Sequence, residues 1–270
     1  MLSHDNKTAL VIGHPGHELR VFHWLEVMRP AVFVFTDGSG RTGRSRLRST
    51  TRILDQVGAS SGLFYGPLTD AAAYAAILDQ NVDVFSKLMR RLAGYLIDED
   101  VSCVVGDALE GYNPTHDVCR LVIGAAVEIA HRATGRSVEN FEFLLTGKPN
   151  GCGTWEDDRA IRLELDDEAF ARKMAVARSY SELESEVREA IALNRADAFR
   201  VECLRRVPNR PPVFAADHKP FYEQYGEQQV LSGHYDQVIR YREHLLPLGD
   251  ALWCQVEAGL GGNMEAQVSI

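Results

Sequence analysis

The sequence predicts an α/β protein: a mostly parallel sheet with helices on both faces and a C-terminal α+β extension. Short apolar runs alternate with longer amphipathic ones through the first half of the chain, the pattern of repeated strand–helix–strand units. Those short runs are continuous rather than alternating with polar residues, so both of their faces are covered. After Thr146 the pattern gives way to loops, a highly charged helical stretch and clustered prolines. The expected organisation is a core over residues 1–150 and an extension over 151–270 packed on the same domain.

The first strand is Ala9 to Gly13, an apolar run ended by glycine. Glu18 to Met28 follows as a helix, with Leu19, Phe22, Leu25 and Val27 apolar and Pro30 as its stop. Ala31 to Thr36 is the second strand, and Asp37-Gly38-Ser39-Gly40 the loop after it. Ser45 to Val57 reads as a helix closed by Gly58, and Gly62 to Tyr65 as a weaker third strand. A long helical pattern runs from Asp70 to about Asp98, with a break expected near Gln80 or Asn81. Val101 to Val105 is the fourth strand and opens into the loop Gly106 to Pro114. A helix over Val118 to Arg132 and a fifth strand over Phe141 to Leu145 complete the core. In the extension, Arg159 to Leu165 reads as an antiparallel or edge strand and Ala169 to Asn194 as mainly helical. Pro208, Pro211 and Pro212 mark an extended crossing segment.

Composition narrows the class of partner. Hydrophobic residues make up 45% and charged residues 25% of 270, ordinary for a globular chain. Lys plus Arg is 29 against 38 for Asp plus Glu, a formal net charge of -9. An acidic balance offers no general attraction to nucleic acid or an anionic bilayer. The basic cluster Arg41, Arg44, Arg46, Arg48, Arg52 is a local exception without interleaved aromatics, so it predicts no nucleic-acid surface. Its plainest reading is a solvated helix face, with Arg44 or Arg48 available to clamp an anionic group. No apolar stretch approaches the ~18–20 residues of a membrane span, and the first residues lack a signal-peptide pattern, so the expectation is a cytoplasmic protein. Cys103, Cys119, Cys152, Cys203 and Cys254 are scattered and odd in number, which predicts buried free thiols rather than a disulfide framework.

The chemistry gathers at the strand ends, where parallel α/β sheets place their active crevice. His14-Pro15-Gly16-His17-Glu18 directly follows the first strand, and Asn113-Pro114-Thr115-His116-Asp117 follows the fourth. Three imidazoles delivered by adjacent strands suit a catalytic Zn²⁺, which takes nitrogen donors and keeps a position open for water. The metal-ligating candidates are therefore His14, His17 and His116. The competing reading is surface histidines near helix starts. Gly38, Gly40 and Gly43 lack the Lys-Ser/Thr ending of a phosphate loop and do not follow the first strand. His23, His218, His234 and His244 read as packed or surface residues, and Trp155 as a rim or packing residue.

These blocks carry a resemblance. The order is strand, His14-Pro15-x-x-Glu18, helix, strand, Thr36-x-Gly38 with Gly40 and Gly43, an Arg-bearing helix ending Val57-Gly58-Ala59, then x-Pro114-x-His116 before a helix. Over roughly residues 8–146 the chain resembles the LmbE-like (PIG-L) N-acetylglucosaminyl deacetylase family. The resemblance implies a Rossmann-like fold, a zinc ion, and removal of acetyl groups from amino sugars and related amides. It places the first ligand on His14, the second on His17 where the family has Asp, and the third on His116. It also aligns Arg48 with a family Arg at the mouth of the site, and small family members commonly assemble, which makes a homo-oligomer an expectation. Two departures stand out. The family's general base is Asp where this chain has Gly16, and the first His of its later motif is Asn113 here. The base would then have to come from elsewhere, with Asp37 and Asp107 as candidates and Glu110 behind them. Asn113 retains an amide that can donate to an oxyanion. Glu110 and Tyr112, in the same loop, are expected to line the substrate. The functional expectation is a zinc-dependent hydrolase that removes an N-acyl group from an amino sugar or sugar-like small molecule. The alternative is an altered member that binds metal and ligand without deacetylation.

Overall fold

The computed structural model describes residues 7–152 and 160–259. Trp155 lies outside them. The wholly apolar runs form the centre of a seven-stranded sheet in the order β3-β2-β1-β4-β5-β7-β6. The strands are β1 (Thr8–Ile12), β2 (Ala31–Thr36), β3 (Ser60–Leu68), β4 (Cys103–Asp107), β5 (Glu139–Phe143), β6 (Ile161–Glu164) and β7 (Val201–Arg206). The first five are mutually parallel, and β7 and β6 join antiparallel at one edge. Every residue of β1, β2 and β4 is buried. A strand covered on both faces has no need of polar alternation. The extension thus adds its own strands to the sheet of the first half. The edge strand expected near 159–165 is β6, whereas β7 was not anticipated.

Helices cover both faces. On one face α3 (Asp70–Leu78), α4 (Val82–Asp98), α5 (Pro114–Thr134) and α9 (Leu246–Glu257) pack on Val11, Phe33, Phe35 and Val104. On the other, α1 (Phe22–Met28), α2 (Leu47–Val57) and α6 (Asp167–Ser179) cover Leu10, Ile12, Val32, Val34 and Val105. Two further helices, α7 (Glu184–Asn194) and α8 (Phe221–Leu231), complete the extension. The long pattern from Asp70 breaks at Gln80, whose φ of 50° no α-helix accommodates, giving α3 and α4. Ala169 to Asn194 is likewise interrupted, at a short 3-10 turn over Ser181–Leu183. No helix among the described residues is long and apolar enough to cross a membrane.

The cysteines correct one expectation. Cys152 and Cys203 form a disulfide with their Cα atoms 5.5 Å apart, tying the segment after β5 to β7. Cys103 and Cys119 are free and buried, while Cys254 is free and exposed. Sequence spacing gave no sign of the pair, because it is the antiparallel addition of β7 beside β5 that brings the two positions together.

Candidate functional site

Strand order fixes where side chains converge. The chain leaves β1 toward β2 on one side and later returns to β4 on the other, so the crevice opens at the carboxyl ends of β1 and β4. His14 and His17 follow β1, and His116 lies in the first turn of α5 behind β4. Their ring centres are 5.3 Å apart for His14–His17, 5.1 Å for His14–His116 and 4.5 Å for His17–His116. The three residues named from sequence are therefore one cluster.

Each of the first two imidazoles is held from behind. The Thr36 hydroxyl donates to the Gly13 carbonyl at 3.1 Å, so toward His14 it accepts. His14 Nδ1 lies 2.7 Å from that hydroxyl and 3.0 Å from an Asp70 carboxylate oxygen. This network puts the His14 proton on Nδ1 and leaves a lone pair on Nε2, a buried atom with no hydrogen-bond partner. His17 Nδ1 donates to both Asp107 oxygens at 3.0 and 2.9 Å, and Asp107 also accepts the Gly13 amide at 2.7 Å. Gly13 eases that approach, since a Cβ there would stand a tight 3.0 Å from the Asp107 oxygen. His116 is also buried, and its Nδ1 has no partner.

Electrostatics act on the same groups. Burial, reinforced by His14 and Arg46, holds His17 well below the ordinary imidazole range. Burial and the neighbouring His17 do the same for His116. Asp107 is fully buried and raised by that burial, against the pull of His116 and the Gly13 amide. Burial works upward on Asp70, but its hydrogen bonds to His14, Thr36 and the Gly40 amide and the charge of His14 together outweigh it and leave the carboxyl far below the usual range. Two carboxylates thus stand behind the cluster, Asp70 at His14 and Asp107 at His17, and protonation of His17 and His116 is disfavoured.

That donor set matches a divalent metal in kind. Three imidazole nitrogens at about 2.0–2.1 Å from one zinc put their ring centres about 5 Å apart, and carboxylate-backed histidines are the usual outer arrangement. His14 Nε2, orphaned and buried, is the clearest sign of a missing partner. As it stands, no group of three or more His, Cys, Asp or Glu among the described residues is closed into a metal-holding set. The rings meet edge to face at 77°, 67° and 84°.

The other residues named from sequence occupy different stations. The Asp37 carboxylate accepts the Ser39 amide at 2.9 Å and shapes its own loop. Asn113 caps α5 by accepting the Thr115 amide at 2.8 Å, and its side chain also meets the Tyr74 hydroxyl. Glu110 accepts the Leu145 and Thr146 amides at 2.7 and 3.0 Å, fastening the end of β5. Arg48 is exposed on α2. Arg46, two residues earlier, turns inward instead: its Nε donates to the Gly38 carbonyl at 2.7 Å, and its charge acts on His17. Tyr112 is exposed, with its ring 6.3 Å from His116. Among the remaining histidines, His244 accepts the Arg240 amide and His218 packs on Phe214.

Sequence reasoning missed Asp70 and Arg46 as site residues. Asp70 had a signal, as an acidic residue following Thr69 at a strand-to-helix junction, where the Thr69 hydroxyl caps α3. Also missed was the fate of Gly16. Its φ is 108°, and a Cβ there would lie 2.3 Å from Leu183 Cδ1. Leu183 and Tyr180 of the extension fill the space into which a residue-16 side chain would project. The neighbouring Glu18 is buried, accepting the Gly16 amide and the Thr50 hydroxyl at 2.7 Å each.

No family model matches the chain, and no curated protein matches it in sequence. Solved structures do. The zinc-inhibited form of a teicoplanin deacetylase superposes with a TM-score of 0.50 at 12% identity, covering 74% of this chain and 99% of that one. The fold is that of this deacetylase. An antimicrobial pseudoaglycone deacetylase gives 0.48 at 17% identity, over 74% of this chain and 96% of that one. A conserved protein from Thermus thermophilus gives 0.45 at 15% identity, over 79% and 99%. The deacetylase fold accounts for the parallel sheet and its crevice, and it agrees with the α/β architecture expected from sequence.

Proposed function

We propose that the chain is a zinc-dependent hydrolase of the LmbE-like kind, removing an N-acyl group, acetyl in the first instance, from an amino sugar or sugar-like small molecule. The observation that carries the reading is the convergence of His14, His17 and His116 in front of Asp70 and Asp107. Bound zinc would supply Lewis-acid polarisation of the amide carbonyl and an acidified water. The three imidazoles would hold it, with Asp70 and Asp107 fixing the ring orientations of His14 and His17. Asn113, whose carbonyl oxygen already serves the α5 cap, offers its amide N–H to a developing oxyanion. Arg46 supplies positive charge that acts on His17. Asp37, Asp107 and Glu110 are each committed to hydrogen bonds with other groups, so a proton acceptor among them would have to release one. The core of residues 1–150 would carry the chemistry and the extension would shape the entrance.

A second reading has its own observation. With Leu183 in the side-chain space of Gly16, the position where the resembling family places its base is closed. The chain would then bind metal and ligand without turnover. One experiment separates the two: metal content of the purified chain, followed by acetate release from a panel of N-acetyl amino sugars, for wild type and His14→Ala. Less than about a tenth of an equivalent of zinc, unrecovered on adding metal, defeats both. Bound zinc without acetate release defeats the hydrolase. The proposed setting is the cytoplasm. The Cys152–Cys203 disulfide opposes it, because such bonds are rare in reducing compartments, and five titratable thiols in the chain drawn from cytoplasm would resolve the conflict.

A further inference from the structure

The extension brings a run of aromatic rings to one side of the histidine cluster. Tyr112, from the loop before α5, stacks on Phe221 with ring centres 5.2 Å apart and planes 10° from parallel. Phe221 in turn stands 6.1 Å from Tyr225 at 26°. Phe221 and Tyr225 are four apart on α8 and therefore share one helix face. The start of α8 is seated firmly: the Tyr222 amide donates to the Gly111 carbonyl, and Pro220 sits 3.1 Å from where a Gly111 Cβ would be. The charged groups around α8 are occupied with one another, Lys219 with Glu227 and Arg240 with Glu223 and Glu227. The wall is thus aromatic, anchored at the start of α8, and its charged neighbours are paired with one another. Tyr112 and Phe221 nevertheless remain 47% and 51% exposed. The Tyr112 ring is 6.3 Å from His116, so the wall begins where the histidine cluster ends.

We infer that Tyr112, Phe221 and Tyr225 form a substrate subsite that takes a flat aryl ring attached to the molecule whose acyl amide faces the histidines. This rests on the proposed reading of His14, His17 and His116 as the reacting end. Aryl rings gain most from such a wall. They stack or meet ring edges with an attraction beyond simple burial, and they need no charged partner. Arg46 brings its positive charge to bear on His17, so the substrate would present its polar side to the cluster and its ring to α8.

The test compares two probes on the zinc-loaded full chain: 4-nitrophenyl and methyl N-acetyl-β-glucosaminide, with affinities from titration calorimetry. The aryl glycoside is expected to bind about tenfold tighter. Phe221→Ala and Tyr225→Ala should each remove most of that preference while leaving the methyl glycoside's affinity unchanged. Phe221→Leu keeps apolar bulk on the helix without the ring and should behave like the alanine variant, which covers the case in which Phe221→Ala fails to fold. Equal affinities in wild type, a preference surviving in these variants, or no binding of either glycoside would overturn the subsite. Acetate release is read in parallel. Aryl preference without acetate release refutes the hydrolase and keeps the subsite, and acetate release without aryl preference does the reverse.

Discussion

The half of the molecule that ends at β5 and the extension that follows it are built on different physics. In the first, β1, β2 and β4 are mainly apolar and entirely buried, and the histidine cluster stands on their carboxyl ends. In the second, burial is partial and charged groups do much of the fastening. Lys173 on α6 is buried against Glu202 on β7 at 2.7 Å, and Glu202 also accepts the His23 and Trp24 amides at 2.8 Å each. The first half supplies ligand-type residues in a fixed frame. The extension decides what surrounds them: Leu183 over Gly16 on one side and the α8 aromatics on the other. The comparison teaches that the chemistry of this site and its shape come from separate parts of the chain.

The largest expected effect belongs to the first half. His116→Ala should remove bound zinc and any hydrolysis, with a loss beyond the ~10–100-fold that changes to residues behind the ligands typically cost. The thermal midpoint should move little, because His116 packs at a helix start facing the crevice. Unchanged zinc per chain in a folded variant would show that the cluster is not the metal site.

The extension breaks by a different route. Lys173→Met strands the Glu202 carboxylate beside two backbone amides without its cation, and breaking a buried pair in this way costs about 3–5 kcal/mol. Urea unfolding should show that loss while zinc content is retained in the folded fraction. If zinc falls in step with stability, the two regions are less separable than described.

Reducing the Cys152–Cys203 bond tests the same seam more gently. It releases a separation of 51 residues, for which chain-entropy reasoning gives about 2–4 kcal/mol. The denaturation midpoint with and without reductant measures it, and no shift would mean that the antiparallel pairing of β5 and β7 holds the extension unaided.

The smallest effect sharpens the comparison most. Gly16→Asp should cost about 1–3 kcal/mol from the left-handed backbone alone, with the Leu183 contact added to it. It should bring no acetate release where wild type has none. Coupling it with Leu183→Ala removes the contact but not the backbone strain, so the double variant should recover part of the stability, read by thermal unfolding. A single variant as stable as wild type would show that Leu183 yields easily and that the space is not closed.

Much of this was legible in the residues. Ala9 to Gly13, Ala31 to Thr36 and the Gly58 stop could be read because a doubly covered strand and a left-handed helix end each leave a local signature. His14, His17 and His116 could be grouped because parallel topology obliges neighbouring strand ends to meet. Asp70 and Arg46 were harder, since their roles depend on which of several polar residues the loops turn inward. β7, α8 and α9 were not read at all. Their sequences are mixed in polarity, and they become structure only by packing on a surface that already exists.

By itself, then, the sequence determined the parallel core and the three imidazoles at its edge, because hydrophobic pattern and strand order are local or nearly local properties. Only the tertiary structure decided that Asp107 holds His17, that Glu110 fastens the end of β5, that Cys152 meets Cys203, and that Leu183 occupies the space over Gly16. Each of these is a contact between positions remote in the chain, and its partner is chosen by the geometry of the packed sheet and not by any pattern that neighbouring residues display.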